Sequence, residues 1–218
     1  MQRLKVYFTY DGGQYHGWQR QKNTPDTIQE VMETKFSMVT NHRVHLVASG
    51  RTDAGVHARI QVAHIDVPLS VVERLEVETR LKLALNSLLP KDIRILKIKR
   101  VVPKFHALAG VKKKTYVYFV DPSPIQIPTL REYSWSLARP LDWDAMQKAT
   151  RLFQGTHDFK AFCAADSSVK TTTRTIFEAY WGKVPVHGLG YQPELWAFRV
   201  TGSGFLKHMV RSIVGTLV

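Results

Sequence analysis

The stretch VHLVASGRTDAGVHARIQVAHIDV, residues 44–67, decides how the first half of this chain is arranged. It holds two strand-like runs, Val44 to Ala48 and Gln61 to Val67, rich in β-branched and apolar residues. Between them lie small and charged residues that break both runs. Upstream, Thr27-Ile28-Gln29-Glu30 has the form of a capping box, and Ile28, Val31, Met32, Phe36 and Val39 fall on one helical face. Further upstream, Lys5 to Tyr10 reads as a strand ended by Asp11-Gly12-Gly13. Downstream, Val72 to Leu88 carries Leu81, Ala84, Leu85 and Leu88 at helical spacing, and Pro90 stops it. Ile93 to Val101 closes the unit as a strand with alternating Lys97 and Lys99. Two adjacent strands flanked by a helix and a strand on each side give β-α-β-β-α-β, the ferredoxin-like or RRM-like order.

The second half begins the pattern again. Lys114 to Asp121 alternates Tyr116, Tyr118 and Val120 on one face. Pro122, Pro124, Pro128 and Pro140 mark a long irregular connection, and Asp142 caps a helix to about Phe153. Thr173 to Trp181 and Leu195 to Thr201 read as strands around the loop Pro185 to Pro193. Ser203 then opens a helix whose Leu206, Met209, Val210, Ile213, Val214 and Leu217 form an apolar stripe. Lys207 and Arg211 lie on its polar side. The final strand expected of a matching half is absent, because the chain stops at Val218 within the helical pattern. The expectation is therefore an α/β (α+β) protein of two halves, 1–103 and 104–218, the second apparently curtailed. Their antiparallel sheets are expected to form a basic cleft between the halves.

Charge narrows the partner. Thirty-one Lys and Arg face 18 Asp and Glu, a formal net charge of +13, which favours a polyanion such as nucleic acid. From Lys91 to Tyr116 there are nine basic residues against one acid, Asp92. The single cysteine, Cys163, excludes an internal disulfide or a cysteine-based zinc cluster, and fits a reducing compartment. Neither a metal-ligand histidine spacing, nor a long apolar run, nor a signal peptide is present. A cytoplasmic protein without metal or membrane segment is expected.

Within the opening stretch, Asp53 is the only carboxylate between Glu33 and Asp66, among Arg43, Arg51, Arg59 and four histidines. An acid does not help an anion bind, so a chemical role competes with a plain turn-capping one. Composition alone favours the turn cap. Gly50 and Gly55 let the backbone approach a substrate closely, and a basic field favours the ionised carboxylate, able to act as nucleophile or base. Hydrolysis of a glycosidic bond would call for a second carboxylate, and none is near in sequence.

The ordered string GRTDAGVHA at 50–58 resembles the signature of the TruA family of tRNA pseudouridine synthases. Tyr10-Asp11-Gly12 with Tyr15 to Gln21, Asn86 with Leu89 to Ile93, Phe105-His106-Ala107, Lys114 to Tyr118, and Gly204 to Gly215 are similar to further family segments, in order. The resemblance implies isomerisation of uridine to pseudouridine in the tRNA anticodon arm, at uridines 38 to 40, with no cofactor or metal. It implies Asp53 as the catalytic aspartate, Tyr116 packed on the target base, Arg211 paired with the aspartate, and Arg51 in base flipping. Phe105, His106, Lys112, Lys113 and Arg20 are the expected RNA-binding residues, tRNA the partner, and a homodimer the assembly. A phenol has a reference pKa near ~10, so Tyr116 is read as a stacking rather than a proton-abstracting group. Where the family has an arginine and an aromatic after Ala107, Leu108 and Ala109 stand here, which weakens one expected RNA contact. Ile60 stands where a glycine is common. The competing reading is a non-catalytic RNA-binding or RNA-folding module on the same scaffold.

Overall fold

The computed structural model describes residues 1–167, 169–185 and 194–218. It divides into two compact units, Met1–Val111 and Lys112–Val218. The first contains β1 (Gln2–Tyr10), α1 (Ile28–Thr40), β2 (Val47–Ala48), β3 (Ala58–Val67), α2 (Leu69–Arg74), α3 (Arg80–Leu88) and β4 (Ile93–Val101). The strands form one sheet in the order β2-β3-β1-β4, with every pairing antiparallel. Alternation along β1 buries Leu4, Val6, Phe8 and Tyr10, while α1 buries Ile28, Met32 and Phe36 at helical spacing, and these share one core. Asn86 of α3 fixes that helix to β4. Its Nδ2 donates to the Ile95 carbonyl at 3.0 Å and its Oδ1 accepts the Ile95 N–H at 2.8 Å.

Three local expectations are corrected. The run 44–48 pairs only at Val47 and Ala48. The helix expected over 72–88 is two helices. Leu75 adopts extended angles after α2, and the Glu76 carbonyl then accepts the N–H groups of Thr79 and Leu81 in a turn. The capping box is half made. Thr27 accepts the Glu30 N–H at 3.3 Å, but the Thr27 N–H goes to Pro25, and Glu30 is drawn away by Arg20.

The second unit contains β5 (Lys114–Asp121), β6 (Trp135–Ser136), α4 (Trp143–Thr150), β7 (Gly155–Asp158), β8 (Thr173–Val184), β9 (Leu195–Gly202) and α5 (Met209–Leu217). Its sheet runs β6-β5-β9-β8-β7. The core order β8-β9-β5 repeats β2-β3-β1 of the first unit. Where β4 lies antiparallel along β1, the edge of β5 instead carries β6, parallel and two residues long. Val120, Phe198, Val200, Met209, Ile213 and Val214 are buried together. The helix from Asp142 ends at Thr150 and continues as a 3-10 turn to Phe153. β6 and β7 went unanticipated; every residue of β7 is exposed, so no buried alternation marks it. The helix expected from Ser203 starts only at Met209, after His208 in the left-handed region. Beyond Pro185, the loop expected over 185–193 lies outside the described residues. Among those described, no helix is long and apolar enough to cross a membrane.

Candidate active site

Asp53 sits half-buried in the connection between β2 and β3, with Arg51 exposed beside it. Each end of that connection is tied to a neighbouring strand or turn. Ser49 N–H donates to the Val62 carbonyl at 2.7 Å, and the Gln61 side chain bonds both Ser49 Oγ, at 2.6 Å, and the Gly50 carbonyl, at 3.0 Å. Thr52 is held twice, its carbonyl by Trp18 N–H at 3.0 Å and its Oγ1 by the Tyr10 hydroxyl at 2.8 Å. Val56 N–H closes the turn on the Asp53 carbonyl at 3.2 Å, and Gly55 N–H donates to the Tyr15 carbonyl. The carboxylate therefore rides on a backbone fixed on both sides of it.

The segment Asp11 to Trp18 makes that grip possible through two glycines. A side chain at Gly12 would place its Cβ 2.2 Å from the Val56 carbonyl oxygen, inside any permitted contact. At Gly17, where φ is +86°, the Cβ would lie 2.8 Å from the Thr52 oxygen. His57 Nδ1 lies 3.1 Å from the Gly12 N–H and 2.8 Å from Asp11 Oδ1. One nitrogen cannot serve both partners: without a proton it accepts from Gly12, and with one it donates to Asp11. Burial raises the Tyr10 phenol pKa, opposed by its bonds to Thr52 and Gln61, so the hydroxyl stays protonated. Burial, together with Asp92, raises that of Tyr15 as well.

Beneath the loop, buried Glu33 accepts from Gln29 at 2.9 Å and from the Leu46 N–H at 2.8 Å. Gln29 in turn accepts the Arg20 N–H and the Gln19 side chain. The Arg20 guanidinium pairs with Glu30 and lies 3.5 Å from Glu33. A phosphate reaching Arg20 would compete with two carboxylates. The Lys104–Ala107 segment follows β4 and packs on the first unit's sheet. Phe105 is half-buried, with Lys5 Nζ 5.1 Å from its ring centre, and His106 is exposed. Lys112 and Lys113, at the start of the second unit, are exposed.

In the second unit, Tyr116 stands on β5 with its ring edge-on to Phe205, centroids 4.9 Å apart. Phe205 itself lies over Gly202, where an added Cβ would meet its ring at 3.3 Å. Neighbouring Lys114 has its pKa lowered, by burial first and by Arg174 second. Arg211 is exposed in the first turn of α5, while Met209 and Ile213 are buried. Lys207 lies ahead of that helix, not on its polar face as expected, and pairs with Asp166. No group of three or more His, Cys, Asp and Glu is placed to hold a metal among the described residues.

Sequence reading overlooked Gln61, Gly12 and Gly17 as supports of the loop. A glutamine at the edge of the apolar run that follows the Asp53 string was the available signal for Gln61. For the glycines the signal was weaker, since turn propensity alone explains them.

A family model described as tRNA pseudouridine synthase matches residues 7–107 and 149–218, thus including both the Asp53 loop and α5. The chain belongs to the tRNA pseudouridine synthase family, and so to the isomerases. Curated relatives of this chain carry the name tRNA pseudouridine synthase A. That of Thermoanaerobacter sp. (strain X514) is 39% identical over 217 residues, covering 100% of this chain and 83% of the relative. That of Moorella thermoacetica is 43% identical over 216 residues, covering 99% and 82%. That of Oceanobacillus iheyensis is 42% identical over 226 residues, covering 100% and 81%.

Proposed function

We propose that this chain isomerises uridine to pseudouridine in the anticodon stem-loop of tRNA, with Asp53 as the nucleophile. Family membership combined with a carboxylate on a doubly fixed loop is the observation that carries this reading. The reaction breaks the N1–C1′ bond and forms C5–C1′; the C5 hydrogen leaves as a proton and N1 ends protonated. Attack at C1′, attack at C6 and removal of a ribose proton are the routes open to Asp53. Because the base is otherwise stacked, extrusion costs about a few kcal/mol, and an aromatic partner returns roughly 1–3 kcal/mol. Tyr116 is assigned that stacking, Arg211 the pairing with the carboxylate, and Arg51 the flipping. Phe105, His106, Lys112, Lys113 and Arg20 are assigned to the RNA, with no cofactor. The same reading makes the protein a cytoplasmic homodimer, which light scattering on the purified chain tests.

The deciding measurement is tritium release from C5-labelled uridine in tRNA transcripts. Wild type is expected to release it and Asp53→Ala to release none while still binding tRNA. If wild type binds tRNA without release, the protein is an RNA-binding or RNA-folding module.

A further inference from the structure

The segment Pro103–Ala107 is held on the open face of the first sheet by three residues that the chemistry above does not use. Arg3 of β1 makes a bidentate pair with Asp66 of β3, Nε to Oδ1 at 2.8 Å and Nη2 to Oδ2 at 2.7 Å. With its remaining nitrogen it donates to the carbonyls of Pro103, at 2.7 Å, and Phe105, at 2.8 Å. The third residue is His64, on the same face of β3 as Asp66 and only 5% exposed. Its Nδ1 accepts the N–H of Ala107 at 3.1 Å, and Ala107 is itself 4% exposed. The His106 ring lies 4.8 Å from the imidazole, and the Phe105 ring meets it edge-on at 6.3 Å.

This arrangement leaves a short arm with a rigid backbone and accessible chemistry. Lys104 and His106 are exposed, and Phe105 is half-exposed beside Lys5, so cations and an aromatic ring face outward together. That is the combination which binds phosphates and stacks bases. Arg3 and His64 supply hydrogen bonds to the arm's backbone, not its side chains, so they set where the arm stands without themselves meeting the ligand.

We propose that His64 is a positioning residue which, with the Arg3–Asp66 pair, presents Lys104, Phe105 and His106 to tRNA. The inference rests on the reading of the chain as a tRNA-modifying enzyme. Holding the arm needs a neutral imidazole, because an Nδ1 carrying a proton cannot accept from Ala107. Burial lowers the His64 pKa, as do the positive charges of Arg3 and of His106 and His45; Asp66 opposes them. Lys5 lies across from it on β1. The hold is therefore complete above the ordinary histidine pKa and is lost as pH falls through the depressed one.

The test compares full-length wild type, His64→Asn and His64→Leu by the Kd for tRNA, kcat for tritium release, and amide exchange at Ala107. Asparagine keeps an acceptor near the place of Nδ1, and leucine removes it. His64→Leu is expected to raise the Kd about fivefold or more, with kcat within about twofold, and to speed Ala107 exchange. His64→Asn is expected to restore both. From about pH 8 to about pH 5, wild-type affinity should drop relative to that of His64→Asn. The proposal is overturned if Ala107 exchange is the same in all three proteins, if Kd is unchanged in His64→Leu, or if Asn and Leu are equally impaired. Exchange and tRNA binding need no turnover, so they judge the arm even where a wild type without tritium release has removed the catalytic reading.

Discussion

The Trp18 N–H donates to the Thr52 carbonyl at 3.0 Å, one residue before Asp53, so the amino-terminal turn sets the position of the acid. Gly17 allows this approach, and its replacement should act through the loop. In Gly17→Ala the left-handed φ costs about 1–2 kcal/mol and the new Cβ also presses the Thr52 oxygen. Gly55→Ala shares the strain, at φ +75°, but meets nothing within 4 Å. Both are expected to lose stability in urea, Gly17→Ala the more because of the added clash, and Gly17→Ala alone should lose roughly 100-fold in turnover, the scale of a misplaced catalytic group. Equal turnover in the two variants would show that the turn does not position Asp53.

Tyr116 offers a separate test of its assigned role. Its ring already has an aromatic neighbour in Phe205, 4.9 Å away, so the side chain is oriented before any base arrives. If stacking is the role, Tyr116→Phe should keep turnover within about threefold and Tyr116→Leu should lose tenfold or more, given roughly 1–3 kcal/mol per stacked base. A large loss in Tyr116→Phe, measured in single-turnover tritium release, would assign the work to the hydroxyl.

What the chain revealed in advance follows from where the physics is local. Alternation in β1 and the stripe of α1 are short-range patterns, and the first half could be ordered from such patterns. The break at Leu75 was hidden because the run from Val72 to Leu88 keeps helical apolar spacing through a turn. β6 and β7 lack that signal: one is two residues long and the other wholly exposed, so only their partners define them. At the candidate site, Asp53 was singled out by its ordered string, its charge surroundings alone favouring a turn cap. Its supports were not, since the 2.2 Å clearance at Gly12 depends on Val56, forty-four positions away in a register that only the fold creates.

Acid stability should depend on the Arg3–Asp66 pair. The Arg3 hydrogen bonds hold the Asp66 carboxyl below its ordinary pKa of 3.8. A carboxyl with a depressed folded pKa contributes fully above its unfolded value, and that contribution disappears as pH falls through the folded one. Urea midpoints of wild type should therefore drop below about pH 4, and Asp66→Asn should shallow that limb. The effect is expected to be modest, because the Asp66 side chain is 40% exposed and solvent screens the pair. Parallel acid limbs in the two proteins would remove this pair from the pH response.

Lys112 and Lys113 are exposed residues beside the start of β5, in a chain of net charge +13. Exposure alone suits a solvated face as well as a phosphate contact, and the salt dependence of binding separates the two. Each lysine that neutralises a phosphate releases condensed counterions, so its loss reduces the slope of log K against log salt by about one unit. Lys112→Ala and Lys113→Ala are expected to weaken tRNA binding across all tRNA sequences alike, since a phosphate contact reads no base. The double variant should reduce the slope by about two units if both lysines touch the backbone. Filter binding over a salt series checks this, and an unchanged slope with unchanged affinity would place both lysines on a solvated face.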